Sequence, residues 1–493
     1  MTISQLVYDF TTLAISNGGW MEMDRTYLQN RILALIGEDD FKVVEKNQLN
    51  QSSIELMDQL VAVAQKNQII GDSPYEKEIF AAQLMDFLTP PPSVVNAFFA
   101  QHYAKDPQQA TDYFFALCKN NDYIKTRSIA KNIVFPAETE YGYLEITINL
   151  SKPEKDPKDI AAQKKTAAVT YPKCQLCMQN EGYEGRSNFP ARANHRIIRM
   201  NLDGESWGLQ YSPYAYYNEH CIILSEEHRP MKIDRKTFER LLQIVAVLPH
   251  YFVGSNADLP IVGGSILSHD HYQGGRHTFA MEKAPIERTF FLDKFPAVTA
   301  GIVKWPMSVI RLQSENKEAL IAASFHIFKK WQSYSDENLS IKAFSADKTP
   351  HHTVTPIARK KEAYFEIDLV LRDNNVSEQY PDGIFHPHPD VQHIKKENIG
   401  LIEVMGLAVL PPRLATELKE VEKYLLDQKN EMKEYHKKWA DQLKNEQDIS
   451  LTNVDKVVKD AVGKVFARVL ADAGVYKRTV SGQAGFDRFI ESL

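Results

Sequence analysis

A short histidine-containing segment carries most of the chemical information in this sequence. His269, His271 and Gln273 alternate with other residues inside the glycine-flanked stretch 263–275. If a strand containing Ser265-Ile266-Leu267 runs on through Gln273, its period of two places these three side chains on one face. The glycines let a ligand approach the backbone closely. Neutral imidazole is well populated at neutral pH and can attack phosphorus. We therefore favour a catalytic strand over a strand end with buried, satisfied histidines.

The pair Cys174 and Cys177 is a second pattern with chemical potential. Two cysteines at this spacing occur in redox sites and metal sites, and also by chance in packed loops. The pair follows Pro172 in a loop-like stretch and lacks the strand-to-helix setting of a thioredoxin-type site. A tetrahedral zinc site would need two further ligands.

A weaker echo of the histidine pattern lies far along the chain, at His386 and His388. This second His-x-His indicates a duplicated unit. Together with His351, His352 and an acidic residue such as Glu282, it could also hold a second metal ion. Ordinary surface or core histidines remain the alternative.

The elements around the first histidine motif are predicted to mix helices with antiparallel strands. Asp203-Gly204 is a hairpin signal, and Asp234 is a helix cap before an amphipathic run. The predicted order is therefore strand, strand, strand, helix, catalytic strand, with the first four elements at 195–202, 206–211, 219–225 and 234–248.

The rest of the chain is predicted to provide helices around these sheet units. A strand at 141–150 alternates apolar and polar residues, a charged loop follows at 151–165, and a long charged helix covers 414–444. The predicted division is a helical N-terminal region, a catalytic unit, a second similar unit and a helical C-terminal region, at 1–135, 136–290, 291–412 and 413–493.

Composition narrows the class of protein. The chain has 493 residues, so two or three domains are expected, and its net charge of −6 argues against a nucleic-acid coat or a basic membrane-surface protein. No stretch approaches the roughly 18–20 apolar residues of a membrane helix. The N-terminus lacks the pattern of a signal peptide, and four cysteines are too few for a disulfide framework in a chain of this length. We expect a cytoplasmic protein that binds neither nucleic acid nor membrane.

The run His-x-His-x-Gln-Gly resembles the active-site motif of the histidine triad superfamily, in its nucleotidyltransferase branch. The wider run 263–282 is similar to the galactose-1-phosphate uridylyltransferases of the second class, found in Gram-positive bacteria. First-class members usually have Pro and Gly where this chain has Asp270 and Tyr272. The similarity is strongest over 170–290 and 350–410 and extends to 475–493. It implies an α+β fold with duplicated histidine-triad-like antiparallel sheet units and helices, only one unit being catalytic, plus a mainly helical N-terminal region.

The resemblance also implies roles for individual residues. His271 would be the nucleophile that takes UMP from UDP-glucose and passes it to galactose 1-phosphate, a step of galactose metabolism. Hydrolase members carry a third histidine at the position of Gln273; a carboxamide cannot donate that proton but can hydrogen-bond a phosphate oxygen, which favours transfer. Ser268 and Lys396 are the candidate substrate contacts, with a plain strand residue and a surface lysine as the alternatives.

The same resemblance supplies the two further zinc ligands that the cysteine pair needs. His228 and His269 match the family's remaining zinc positions, so Cys174, Cys177, His228 and His269 are the expected ligands of one structural zinc ion.

Alternative functions stay open from the sequence. The chain could be a related nucleotidyltransferase that uses UTP or another sugar phosphate, or a dinucleoside phosphorylase. It could instead be a non-catalytic, zinc-stapled nucleotide-binding protein, which would bind nucleotide without a covalent adduct. The oligomeric state is also open, with a homodimer as one arrangement.

Overall fold

The computed structural model describes residues 2–44, 51–151, 170–264 and 266–493. Apart from Ser151, the predicted charged loop 151–165 lies outside these residues. The chain forms two compact units, and the described residues of 1–129, 152–215 and 221–228 make up the first. The second comprises 130–151, 216–220 and 229–493. Helices and mostly antiparallel strands occur together, which confirms the predicted α+β class.

The helices of the described residues are numbered in chain order: α1 (Ile3–Ser16), α2 (Arg25–Ile36), α3 (Ser53–Lys66), α4 (Pro74–Asp86), α5 (Pro92–Tyr103), α6 (Pro107–Asn120), α7 (Thr126–Ile129), α8 (Arg235–Val247), α9 (Ala280–Lys283), α10 (Lys317–Ser333), α11 (Leu401–Val404), α12 (Leu414–Leu425), α13 (Lys437–Glu446), α14 (Val454–Ala473) and α15 (Val480–Glu491). None of these helices combines the length and the apolar character required to cross a membrane.

The strands of the described residues are β1 (Ile133–Thr139), β2 (Gly142–Ile148), β3 (Ile198–Leu202), β4 (Glu205–Tyr211), β5 (Cys221–Ser225), β6 (Phe252–Gly254), β7 (His271–Gly275), β8 (Ile286–Phe290), β9 (Thr299–Val303), β10 (Val309–Ser314), β11 (His352–Lys360), β12 (Phe365–Asp373) and β13 (Leu407–Leu410).

The first unit begins with the seven helices α1–α7, as the sequence predicts for its N-terminal region. The apolar faces of α1–α4 bury one core, in which Phe10, Ile32, Leu60 and Leu84 are fully enclosed. Strands β3, β4 and β5 are antiparallel neighbours in the same unit. The predicted turn at 203–204 joins β3 to β4, and both of its residues have positive φ, +54° and +76°. This is the backbone that a tight two-residue hairpin requires.

The second unit contains the strand that carries His271. Its strands run in the order β7-β6-β11-β12-β10-β9-β8, and neighbours are antiparallel. A smaller sheet has the order β1-β2-β13, in which β13 is parallel to β2. Strand β7 pairs with β6 through Gln273 opposite Gly254, so hydrogen bonds to β6 fix the position of the candidate catalytic strand.

The order of elements along the chain occurs twice. Three strands, a helix and two strands form the run from β3 to β7 around α8, and the same order forms the run from β8 to β12 around α10. This agrees with the predicted duplication. The residues that suggested it, His386 and His388, nevertheless lie after β12 and outside any strand; the last strand of the second copy is β12.

The structure corrects two predicted elements. The strand through 263–273 begins only at His271, and Ser265 lies outside the described residues. Before His271 the chain bonds to a loop instead, through Met231 N–H to Leu267 O and Asp270 N–H to Arg229 O. The predicted helix 414–444 is broken after Leu425, since Asp427 has a left-handed backbone with φ +58°. Helix α13 starts again only at Lys437.

Candidate active site and metal centre

His271 opens strand β7 and is buried there. Its Nδ1 lies 2.7 Å from the backbone carbonyl oxygen of His269. A carbonyl oxygen only accepts hydrogen bonds, so Nδ1 carries the proton and donates it. The neutral tautomer that results leaves the lone pair on Nε2. The ring is therefore held in the form in which Nε2 can act as a nucleophile.

The protonation state of His271 agrees with that role. Burial lowers the pKa of the imidazole to about 4, because a charged ring loses its hydration inside the protein. At physiological pH the ring is neutral, and Nε2 needs no prior deprotonation before it attacks an electrophile.

Gln273 follows two residues later in the same strand and shares the face of His271. Its Oε1 lies 3.0 Å from Nε2 of His220. Because an amide oxygen only accepts, His220 is the donor. The NH₂ group of Gln273 is the end of the carboxamide that this bond leaves available.

The sequence reading missed His220 and the residues that surround it. Glu219 is fully buried and accepts a hydrogen bond from Tyr251 Oη at 2.5 Å. Arg276 also pairs with Glu219. Tyr217 Oη donates to the carbonyl oxygen of Gly274 at 3.1 Å. These hydrogen bonds and the ion pair hold the segment 217–220 against the strand of His271. The local sequence carries no signal of this contact, which depends on how the chain folds.

Gly275 permits this close approach. Its φ is +151°, and a Cβ atom there would lie 2.6 Å from the carbonyl oxygen of Glu219. Any larger residue would push the segment 217–220 away from β7, because that distance is well inside van der Waals contact. The glycine predicted to admit a ligand therefore also admits a neighbouring backbone.

Three of the four predicted zinc ligands, Cys174, Cys177 and His228, lie together in the first unit. Sγ of Cys174 lies 3.5 Å from Sγ of Cys177, which lies 3.1 Å from Nδ1 of His228. His269, the fourth predicted ligand, belongs to the second unit, and its part in the site stays a prediction. Burial raises the pKa of the Cys177 thiol to about 11. Two thiols and two imidazoles are a donor set that suits tetrahedral zinc.

Comparison with known proteins decides the family. A family model described as "Galactose-1-phosphate uridyl transferase, N-terminal domain" matches residues 19–230, and the corresponding C-terminal domain matches residues 245–441. A galactose-1-phosphate uridylyltransferase of Enterococcus faecalis is 59% identical over 490 residues, which covers 99% of this chain and 98% of that protein. The chain belongs to the galactose-1-phosphate uridylyltransferase family.

A further curated relative agrees with this family. A galactose-1-phosphate uridylyltransferase of Streptococcus mutans is 59% identical over 493 residues, covering 100% of this chain and 99% of that protein. Among solved structures, the yeast Ap4A phosphorylase Apa2 matches with a TM-score of 0.41 and 11% identity, over 75% of this chain and 97% of that one. The family predicted from the histidine motif is confirmed.

In this family member the two candidate substrate contacts lie in different surroundings. Ser268 is exposed in the irregular segment just before His269. Lys396 is exposed and lines a cavity of about 990 Å³ together with Arg413, Tyr435 and Trp439. Their contact with substrate stays a prediction.

The residues considered for a second metal site are not brought together. Each forms its own contacts: His351 with Asn374, His352 with Asp373, His386 with Asn398, His388 with Asp472, and Glu282 with Arg359. Within the described ranges, the second group with metal-ligating potential is instead His388, Asp390 and Asp472.

Proposed function

We propose that this chain is a uridylyltransferase that exchanges UMP between UDP-glucose and galactose 1-phosphate through a uridylyl group carried on His271. The observation that carries the proposal is the hydrogen bond from His271 Nδ1 to the carbonyl oxygen of His269 at 2.7 Å. It places the lone pair on Nε2, on the strand face shared with Gln273. Membership of the family supports the choice of the two sugar phosphates.

The first half-reaction is a displacement at phosphorus. The Nε2 lone pair of His271 attacks the α-phosphorus of UDP-glucose. A bond from nitrogen to phosphorus forms as the bond from that phosphorus to the bridging oxygen breaks. The electron pair leaves with glucose 1-phosphate. A phosphate oxygen whose conjugate acid has a pKa near 6 is a good leaving group at neutral pH and needs no protein acid.

The second half-reaction reverses the first with a different sugar. A phosphate oxygen of galactose 1-phosphate attacks the uridylyl phosphorus, the bond to Nε2 breaks, and the lone pair returns to His271. No proton is gained or lost over the cycle. A carboxamide at Gln273 fits this chemistry, since its NH₂ can hydrogen-bond the non-bridging phosphate oxygens while offering no proton to water or leaving group.

The cysteine and histidine cluster fits a structural zinc ion. Cys174, Cys177, His228 and His269 would hold it, and the bound ion would stabilise the fold around them. His269 would then serve twice, with its ring toward the metal and its carbonyl oxygen toward His271. Ser268 and Lys396 are proposed to contact the phosphate groups of the substrates through a hydroxyl and a point charge.

Incubation with UDP-glucose alone tests the function. We expect intact-mass measurement to show one UMP added per chain, with stoichiometric release of glucose 1-phosphate and regeneration of free protein by galactose 1-phosphate. Nucleotide binding without an adduct would reject a covalent mechanism and favour a binding protein. An adduct formed only from a dinucleoside polyphosphate would favour a phosphorylase.

A further inference from the structure

His220 is the one side chain that fixes the carboxamide of Gln273 by a hydrogen bond among the described residues. From this geometry we infer that His220 is a positioning residue: it aims the NH₂ group of Gln273 at the phosphate oxygens of the substrate and of the uridylyl-histidine. His220 itself does not touch the reacting phosphorus in this scheme. The inference rests on the proposed function.

The direction of the hydrogen bond determines the orientation of the carboxamide. Nε2 of His220 donates to Oε1 of Gln273 over 3.0 Å. The last torsion of a glutamine side chain is broad and close to two-fold, so without a partner the carboxamide can present either its oxygen or its nitrogen. An oxygen turned toward a phosphate would repel it. The hydrogen bond from His220 holds Oε1 on the side of the imidazole, so the NH₂ group faces away from His220.

His220 is itself held firmly enough to do this. Its ring packs against Tyr217, with 4.5 Å between the ring centroids. The Tyr217 hydroxyl is bonded to Gly274, the residue after Gln273. The neighbouring Glu219 is buried and bonded to Tyr251. The donor and the acceptor of the critical bond are thus tied to the same stretch of β7.

His220 also has a fixed protonation state. Burial lowers the pKa of its ring to about 4, so the ring holds one proton at physiological pH. Nε2 carries that proton because it donates to Gln273. Nδ1 has no hydrogen-bond partner among the described residues, so no competing acceptor draws the proton to the other nitrogen.

A double-mutant cycle on single-turnover uridylylation tests the inference. Rate constants with UDP-glucose in excess do not depend on the fraction of folded enzyme, so partial misfolding of a variant does not distort them. We expect His220→Ala to slow formation and discharge of the adduct by about 10- to 100-fold, the usual loss when a partner that orients a functional ligand is removed. Gln273→Ala should cost about 10²–10³-fold. The double variant should be no slower than Gln273→Ala, since a residue that acts only through Gln273 has nothing left to position.

Two further variants distinguish a loss of positioning from a general loss of stability. His220→Gln places an amide nitrogen where Nε2 stood and should recover most of the rate. His195 is a matched control outside the site: it is buried, its Nε2 lies 2.9 Å from Gln210 Oε1, its ring stacks on Tyr123 at 4.4 Å, and its Nδ1 has no partner among the described residues. His195→Ala should lower the melting temperature as His220→Ala does, while leaving the single-turnover rate within about twofold of the wild type.

The outcomes separate the possible failures. Effects of His220→Ala and Gln273→Ala that multiply in the double variant would overturn the positioning role. Equal slowing by His195→Ala would do the same, because it would trace the loss to general destabilisation. Failure of the wild-type enzyme to form any adduct would instead overturn the proposed function.

Discussion

His271 and His269 are joined by a hydrogen bond from the ring of one to the backbone of the other, 2.7 Å long. The proposed nucleophile therefore takes its tautomer from the main chain of a proposed metal ligand. A metal ion on the ring of His269 would fix that carbonyl oxygen in place without touching the reacting phosphorus. Metal and catalysis would be coupled through one backbone group.

The first prediction concerns His271. His271→Ala should abolish both the UMP adduct and sugar exchange, because no other nucleophile shares the strand face with Gln273. Mass measurement after incubation with UDP-glucose, together with an exchange assay, checks this. Circular dichroism should show an unchanged fold. An adduct on the variant protein would disprove the assignment.

The second prediction concerns the metal. Purified enzyme should hold about one zinc ion per chain, and removal by a chelator should lower the melting temperature, since the bound ion stabilises only the folded state. Cys177→Ser should lose the zinc. Cys118, a buried cysteine outside the cluster, provides the control, and Cys118→Ala should keep the metal. Metal-free protein whose melting is indifferent to chelator would show that the four residues merely pack.

The third prediction separates transfer from hydrolysis at Gln273. Gln273→His places a group that can donate a proton beside the uridylyl phosphate, so the proportion of UMP lost to water should rise. Gln273→Ala should slow both half-reactions but leave partitioning in favour of transfer. The measurement is the ratio of free UMP to UDP-galactose after the adduct is mixed with galactose 1-phosphate. Full exchange activity in Gln273→Ala would mean that this side chain is only a polar group in the strand.

The fourth prediction concerns Gly275. Gly275→Ala would bring a Cβ atom to 2.6 Å from the Glu219 carbonyl oxygen and 2.8 Å from the ring of Tyr217. The displacement of His220 that follows should reduce the uridylylation rate by up to about 10²-fold. Gly204 also has positive φ, +76°, but nothing lies within 4 Å of its added Cβ. Gly204→Ala should therefore cost about 1 kcal/mol of stability at unchanged rate, and equal rates for both variants would contradict the prediction.

The fifth prediction concerns a buried ion cluster in the second copy of the repeat. Asp368 accepts two hydrogen bonds from Arg311, at 2.7 and 2.9 Å, and one from Arg359 at 2.7 Å. Asp368→Asn should destabilise the fold by about 3 kcal/mol, because Arg311 and Arg359 lose the buried carboxylate that both contact, while Glu366 and Glu282 remain beside them. Asp455→Asn, which breaks exposed pairs with Lys459 and Lys419, should cost less than about 1 kcal/mol. Urea denaturation measures both.

The same cluster has a defined pH dependence. Burial raises the pKa of Asp368, but the charges of Arg359 and Arg311 outweigh it and hold the pKa below its ordinary value. A lowered pKa means that the stabilisation is complete above the unfolded value, about 3.9, and is lost as pH falls toward the folded one. The difference in unfolding free energy between wild type and Asp368→Asn should thus be constant near neutral pH and shrink below about pH 4.

How far the sequence predicts the structure depends on whether the signal is local. The alternation of His271 and Gln273, the cap at Asp234 and the hairpin at Asp203 are local patterns, and each agrees with the structure. The prediction of one continuous helix over 414–444 is wrong. The amphipathic spacing continues past Asp427, but the left-handed backbone of that residue ends the helix. His220 has no local signal, since 53 residues separate it from its partner Gln273, and only the folded sheet brings the two together.

A chain built from two equivalent runs of elements holds a second copy of the strand that bears its proposed nucleophile. In the second run that strand is β12, whose sequence contains no histidine and supplies Asp368 to the ion cluster instead. Substitutions in β12 should therefore lower the amount of enzyme in the cell, because they change the fraction of chains that fold and escape degradation. Substitutions at His271 or Gln273 should leave abundance constant and reduce turnover per molecule.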